Sequence, residues 1–145
     1  MFPDVDRSLT VFDGAGLTLD VGGRTMVCGH RQTVRFPGDT PTTATLHAGP
    51  VRDLNLMVRR GQAEGRVDLL DPSSDPASGF RYLVPLSEST ILITPGPDPG
   101  VTGADDETLR LATLDLVSVD GEDATIRVVE GCIATVHCRR LGGRH

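Results

Sequence analysis

Leu17-Thr18-Leu19-Asp20-Val21-Gly22-Gly23-Arg24-Thr25-Met26-Val27 is the stretch whose pattern decides the fold class. Leu17, Leu19 and Val21 alternate with Thr18 and Asp20, the period-two pattern of a strand with one apolar face. Gly22 and Gly23 tolerate the positive φ values that a primed two-residue turn requires, so the stretch reads as a β-hairpin. The same alternation recurs at Leu9 to Phe12, Thr33 to Phe36, Thr43 to His47, Leu54 to Val58, Arg66 to Leu70, Phe80 to Pro85 and Thr90 to Thr94. These segments follow one another at intervals of roughly ten residues, the spacing of β-sandwiches and barrels. A helical apolar stripe is missing throughout.

Turn chemistry separates the strands. Asp71-Pro72-Ser73-Ser74-Asp75-Pro76-Ala77-Ser78-Gly79 and Pro95-Gly96-Pro97-Asp98-Pro99-Gly100 are loops. Leu109 to Val119 has leucines that could suit a short helix, but Leu-Asp-Leu and Val-Ser-Val alternate at period two, which predicts a strand. Asp120-Gly121 turns the chain into Ala124 to Val129, and Cys132 to Arg139 is the last expected strand, followed by a frayed tail from Gly142 to His145.

Composition narrows the function. With 145 residues the chain is expected to form one domain, long enough to bury a core without staples. Cys28, Cys132 and Cys138 are odd in number and irregularly spaced, which implies neither a disulfide framework nor a zinc knuckle. They read as small half-buried apolar side chains in a reducing cytoplasm. A basic n-region with an apolar h-region is missing, as is an apolar run of the ~18 residues a membrane span needs, so the expected location is cytoplasmic. The net charge is -6 with scattered acids, which disfavours nucleic acid and membrane as partners. Four Phe, one Tyr and no Trp leave little for bases to stack on. Every basic residue is Arg and Asn55 is the only asparagine, a skew that GC-rich coding produces.

Catalytic constellations are weak. His30, His47, His137 and His145 show no metal-ligand spacing, so the expectation is no metal and no cofactor. Ser8, Ser87 and Ser89 lack a local base, and no nucleophile elbow is present. Asp13-Gly14-Ala15-Gly16 reads as a turn between strands, without the helix N-terminus that binds phosphate. Asp4 with Asp6, and Asp105 with Asp106 and Glu107, fall in turn-like, wet segments.

One segment stands apart, Gly49-Pro50-Val51-Arg52-Asp53-Leu54-Asn55-Leu56-Met57-Val58-Arg59-Arg60-Gly61. Its strand carries Asp53 and Asn55 on one face and Leu54, Leu56 and Val58 on the other. In a sandwich the polar face meets solvent, with Asp53 capping the turn; in a barrel it lines the mouth.

Three motifs together resemble the HutD/Ves family of cupin-like proteins. They are Phe2-Pro3-Asp4-Val5-Asp6-Arg7 leading into Leu9-Thr10-Val11, then Phe36-Pro37-Gly38-Asp39, then Gly49-Pro50-Val51-Arg52-Asp53-Leu54-Asn55, and the likeness covers roughly residues 1 to 95. The resemblance implies an all-β, cupin-like double barrel (a bicupin) without metal-binding histidines, with residues 1–70 as the first barrel half and 71–145 as the second. It implies a non-enzymatic binder of a small acidic metabolite, such as N-formylglutamate, that regulates histidine utilisation. Carried over by motif, Arg7 is the expected ligand contact, with Asn55 and Asp53 lining the same pocket. A guanidinium pairs bidentately with a carboxylate, and a carboxamide can both donate to and accept from a formamide. The alternative for Arg7 is a rim ion pair with Asp4 or Asp6.

Family members usually carry a further N-terminal segment with a Trp-Lys-Asn-Gly-Gly-like stretch before the motif that begins here at Phe2. The expectation is a first barrel incomplete at its N-terminus, whose exposed edges invite pairing into a homodimer. Two other functions stay open, a metal-dependent isomerase or hydrolase using His47 or His137, and a structural β-module that binds nothing.

Overall fold

The computed structural model describes residues 1–96, 105–119 and 124–142. Among them the chain forms strands and no helix: β1 (Val5–Asp13), β2 (Leu17–Val21), β3 (Arg24–Cys28), β4 (Thr33–Pro37), β5 (Thr42–Leu46), β6 (Arg52–Arg59), β7 (Ala63–Leu70), β8 (Tyr82–Pro85), β9 (Ser89–Thr94), β10 (Glu107–Leu111), β11 (Val117–Ser118), β12 (Thr125–Glu130) and β13 (Ile133–Arg140). They assemble into antiparallel sheets ordered β4-β1-β6, β3-β2-β5, β10-β9-β12 and β11-β8-β13-β7. None of these sheets closes into a barrel.

The β2–β3 hairpin forms as its sequence dictates. Gly22 and Gly23 sit at φ 58° and 88°, and the Asp20 carboxylate accepts from the Gly23 amide at 2.8 Å. Leu17, Leu19 and Val21 are all buried.

The expected single strand over 109–119 is corrected. The chain forms β10, then a turn, then the two-residue β11. Leu114 adopts φ 67°, and Asp115 closes the turn by accepting from the Ala112 amide at 3.0 Å. A local carboxylate–amide bond offers the backbone an alternative to the ladder. The expected Asp120-Gly121 turn, the Gly142 to His145 tail beyond Gly142 and most of the loop from Pro95 to Gly100 lie outside the described residues.

The chain divides into two compact units, Met1–Val67 with Cys138–His145, and Asp68–His137. The end of the chain thus belongs to the first unit. Each unit carries its own buried cluster. Leu9, Val11, Leu17, Leu19, Val21, Cys28 and Phe36 form the first. Phe80, Leu83, Ile91, Leu111, Ile126, Val128 and Ile133 form the second. Burial of a Val, Leu, Ile or Phe side chain contributes about 1.5–3 kcal/mol, so these clusters are the main stabilising term of each unit.

Candidate ligand-binding site

Strand β1 is the central strand of its sheet, and register decides what each of its side chains meets. Arg7 lies opposite Phe36 of β4 and Met57 of β6; Leu9 lies opposite Val34 and Asn55; Val11 lies opposite Asp53. Cross-strand partners share a sheet face, so Arg7, Phe36, Asn55, Met57 and Asp53 stand on the face that carries Leu9 and Val11 of the buried cluster. The expected parity of Asp53 and Asn55 against Leu54, Leu56 and Val58 is therefore observed, with a correction to what it means. The polar face is also the core face, and the leucine face is only half buried.

Arg7 is held in place by rings and an amide. Its guanidinium carbon lies 4.9 Å from the Phe36 ring centroid and 5.6 Å from that of Phe2. Its Nε donates to the Asn55 Oδ1 at 3.4 Å. Each cation–π contact contributes about 0.5–2 kcal/mol depending on desolvation. Among the described residues neither terminal nitrogen of Arg7 has a protein partner, and no carboxylate pairs with it. The alternative rim ion pair with Asp4 or Asp6 does not form; Asp6 stands on the opposite face of β1 and pairs with Arg60. Phe2 and Met57, at 45% and 47% exposure, leave an open apolar rim beside the half-buried guanidinium.

The quoted motifs meet at this point. Phe2 reaches Arg7 because its amide donates to the Gly38 carbonyl at 2.9 Å while the Gly38 amide donates to the Val5 carbonyl at 2.7 Å. A side chain at position 38 would crowd the carbonyls of Val5 and Phe2 at 3.0 and 3.2 Å, so glycine lets the two segments approach without displacement. Arg60 then ties both segments together. Its Nε donates to Asp6 at 2.9 Å, its Nη1 and Nη2 donate to Asp39 at 2.9 and 3.2 Å, and its amide donates to the Asp4 carbonyl at 2.8 Å. The Arg60 guanidinium holds the Asp39 carboxyl below its ordinary range, and both carboxylates push Arg60 upward.

Asp53, the third expected site residue, is exposed and lies two positions from Asn55. Its charge bears on Cys28, whose thiol is pushed up first by burial and further by Asp53. Phe2, Phe36, Met57 and Arg60 went unnamed as site residues in the sequence. Phe2 and Phe36 sit inside the motifs, but only the β1–β4 register sets Phe36 against Arg7, and only the bond from the Phe2 amide to Gly38 brings in the second ring.

His47, His137, Ser87 and Ser89 have structural partners. His47 Nε2 is 2.8 Å from the Thr18 hydroxyl, and His137 Nδ1 donates to the Gly79 carbonyl at 2.9 Å with its Nε2 3.2 Å from Asp68. Ser87 and Ser89 hydroxyls serve the backbone around Cys132. Cys28 is buried, Cys132 half buried and Cys138 exposed, and no disulfide joins them, so the expected half-burial holds for Cys132 alone. Among the described residues no three His, Cys, Asp or Glu side chains come together as a metal-binding set. No helix there is long and apolar enough to cross a membrane.

A family model described as HutD matches residues 1–135, well beyond the stretch that carries the motifs. Among solved structures, HutD from Pseudomonas fluorescens SBW25 superposes with a TM-score of 0.70 at 22% identity, over 97% of this chain and 71% of that one. A conserved protein of unknown function from Pseudomonas aeruginosa PAO1 gives a TM-score of 0.70 at 23% identity, over 97% and 75%. Likeness at that identity shows the fold. No curated protein matches the sequence.

Proposed function

The chain belongs to the HutD family, which associates it with histidine utilisation, and on that premise we propose that it is a non-enzymatic binder of a small acidic intermediate of that pathway, with Arg7 as the carboxylate contact. N-formylglutamate is the ligand that the chemistry of the site suits best. The observation that carries the reading is the state of Arg7, stacked against Phe36 and Phe2, tied through Nε to Asn55, and left with both terminal nitrogens unpaired. Those two nitrogens are the edge that grips a carboxylate bidentately. The Asn55 carboxamide beside it suits a formamide, and Asp53 lies two positions along the same face, lining the same pocket. The same reading takes the two compact units as the two halves of a bicupin, in a cytoplasmic protein.

Calorimetric titration with N-formylglutamate, glutamate, urocanate and histidine tests this. The expected result is saturable heat from N-formylglutamate, accompanied by a melting shift that grows with ligand concentration and reaches about 2.7 kcal/mol of added stability at a hundredfold excess over Kd. Arg7→Ala abolishes the response, and Arg7→Lys weakens it because an ammonium cannot make the planar bidentate pair. Silence from every one of these ligands at millimolar concentration overturns the proposal.

A further inference from the structure

Strand β5 is the outer strand of the β3-β2-β5 sheet, and its backbone shows which way its polar groups point. The His47 amide donates to the Gly16 carbonyl at 3.0 Å and the Gly22 amide donates to the Pro41 carbonyl at 2.9 Å, bracketing the β2–β5 ladder. In an antiparallel ladder the bonded positions alternate, so residues 41, 43, 45 and 47 face β2. Thr42, Ala44 and Leu46 then direct both amide and carbonyl to the open side, and none of these groups has a partner among the described residues.

The side chains leave this edge unguarded as well. Every other edge strand longer than two residues carries charge: Arg24 on β3, Arg35 on β4, Arg52 and Arg59 on β6, Glu64 and Arg66 on β7, Glu107 and Arg110 on β10, Arg127 and Glu130 on β12. Charged side chains are the usual protection against edge-to-edge pairing. Thr42–Leu46 has none. Ala44 and Leu46 also lie on the same face as Leu19 and Leu17, which are 2% and 5% exposed, yet Leu46 itself is 51% exposed. The core face of the first unit therefore runs out to an uncovered apolar margin at β5.

We propose that this edge is a self-association surface, on which β5 of a second copy pairs antiparallel about a twofold axis at Ala44. The register is self-complementary. Ala44 meets its own equivalent, Thr42 and Leu46 meet Leu46 and Thr42 of the second copy, and about six backbone hydrogen bonds form from groups that are otherwise bare. Cross-strand partners share a face, so the second Leu46 comes down beside Thr42 on the core side and extends the apolar margin. A second copy suits this edge because a segment without charge meets itself without repulsion. The net charge of -6 elsewhere opposes association, and salt screens it.

Sedimentation equilibrium across a concentration series, at low and at moderate salt, is the primary test, with amide exchange on the parent chain as the second. The expected mass rises towards twice 15.4 kDa with concentration and does so more readily in salt. Exchange at Thr42, Ala44 and Leu46 slows by roughly tenfold between dilute and concentrated protein, while that at Thr43 and Thr45 stays constant. Ala44→Pro removes an outward amide without touching the β2 ladder, as edge strands tolerate, and weakens the dimer by roughly a hundredfold. Thr43→Lys leaves it intact. A concentration-independent monomer overturns the proposal, as does a dimer whose β5 amides exchange no more slowly than in the monomer. The exchange measurement decides even where Ala44→Pro does not fold.

Discussion

Cys28 and Cys138 carry the same side chain in opposite surroundings. Cys28 is fully buried, donates to the Gln32 carbonyl at 3.2 Å, and is pushed up by burial, whereas Cys138 is exposed. The thiolate is the reactive form, so a maleimide at neutral pH should label Cys138 rapidly in the native protein and Cys28 only on unfolding. Mass mapping of the labelled sites checks this, and rapid native labelling of Cys28 counts against it. Asp39 gives a pH prediction of definite sign. Its carboxyl is held below the ordinary value by Arg60, so the contact adds stability at pH values above about 4 and loses it as pH falls through the folded-state value. Asp39→Asn should therefore lower the urea midpoint slightly at pH 7 and leave a flatter decline on acidification. The effect is small because the ion pair is exposed.

At the scale of elements, the strands were legible wherever burial follows alternation. Leu17, Leu19 and Val21 are one case, and the paired glycines of the same hairpin are another, since a positive φ at both positions leaves few other residues admissible. Leu114 marks the opposite limit. Nothing in Leu-Ala-Thr-Leu-Asp-Leu announces a left-handed leucine, and Leu114 and Leu116 supply apolar residues in the right period while pointing to solvent at 50% and 69% exposure. A leucine there costs about 1–2 kcal/mol in backbone strain, partly offset by the greater chain entropy that glycine loses on folding. Leu114→Gly should accordingly raise stability by about 0.5–1 kcal/mol, read as a melting point higher by roughly 1–4 °C. The site divides in the same way. Arg7 and Asn55 are reached through motif resemblance, but the meeting of Arg7 with Phe36 is made by strand pairing between residues about thirty positions apart, and Phe2 is brought in by its bond to Gly38, neither of which local spacing encodes. Arg60 was hidden for a related reason, because an arginine at a strand end carries no mark of the two carboxylates it will reach.

For the molecule as a whole, the division into two units with separate buried clusters sets the expectation for mutation. Ile91 is fully buried in the second cluster, and truncation to Ala leaves a cavity that costs about 2–5 kcal/mol. Arg7 belongs to the first unit, so Ile91→Ala should lower the denaturation midpoint while leaving the heat of ligand binding per bound molecule unchanged. A variant that still folds but no longer binds would show that integrity of the second unit is needed for the site. The acidic balance acts at this scale too. A net charge of -6 repels polyanions, so column retention on heparin should be negligible even at low salt.

Two phenyl rings and a carboxamide fix the Arg7 side chain before any carboxylate arrives, so the cation serves the fold as well as the site. An unbranched thioether of similar reach would still lie on Phe36 and Phe2 but would lose both cation–π contacts and the bond to Asn55. Arg7→Met should therefore melt slightly below the parent without ligand, by about 1–3 °C, and further below it once a carboxylate is supplied. The widening of that gap with ligand concentration separates what the cation does for binding from what it does for folding.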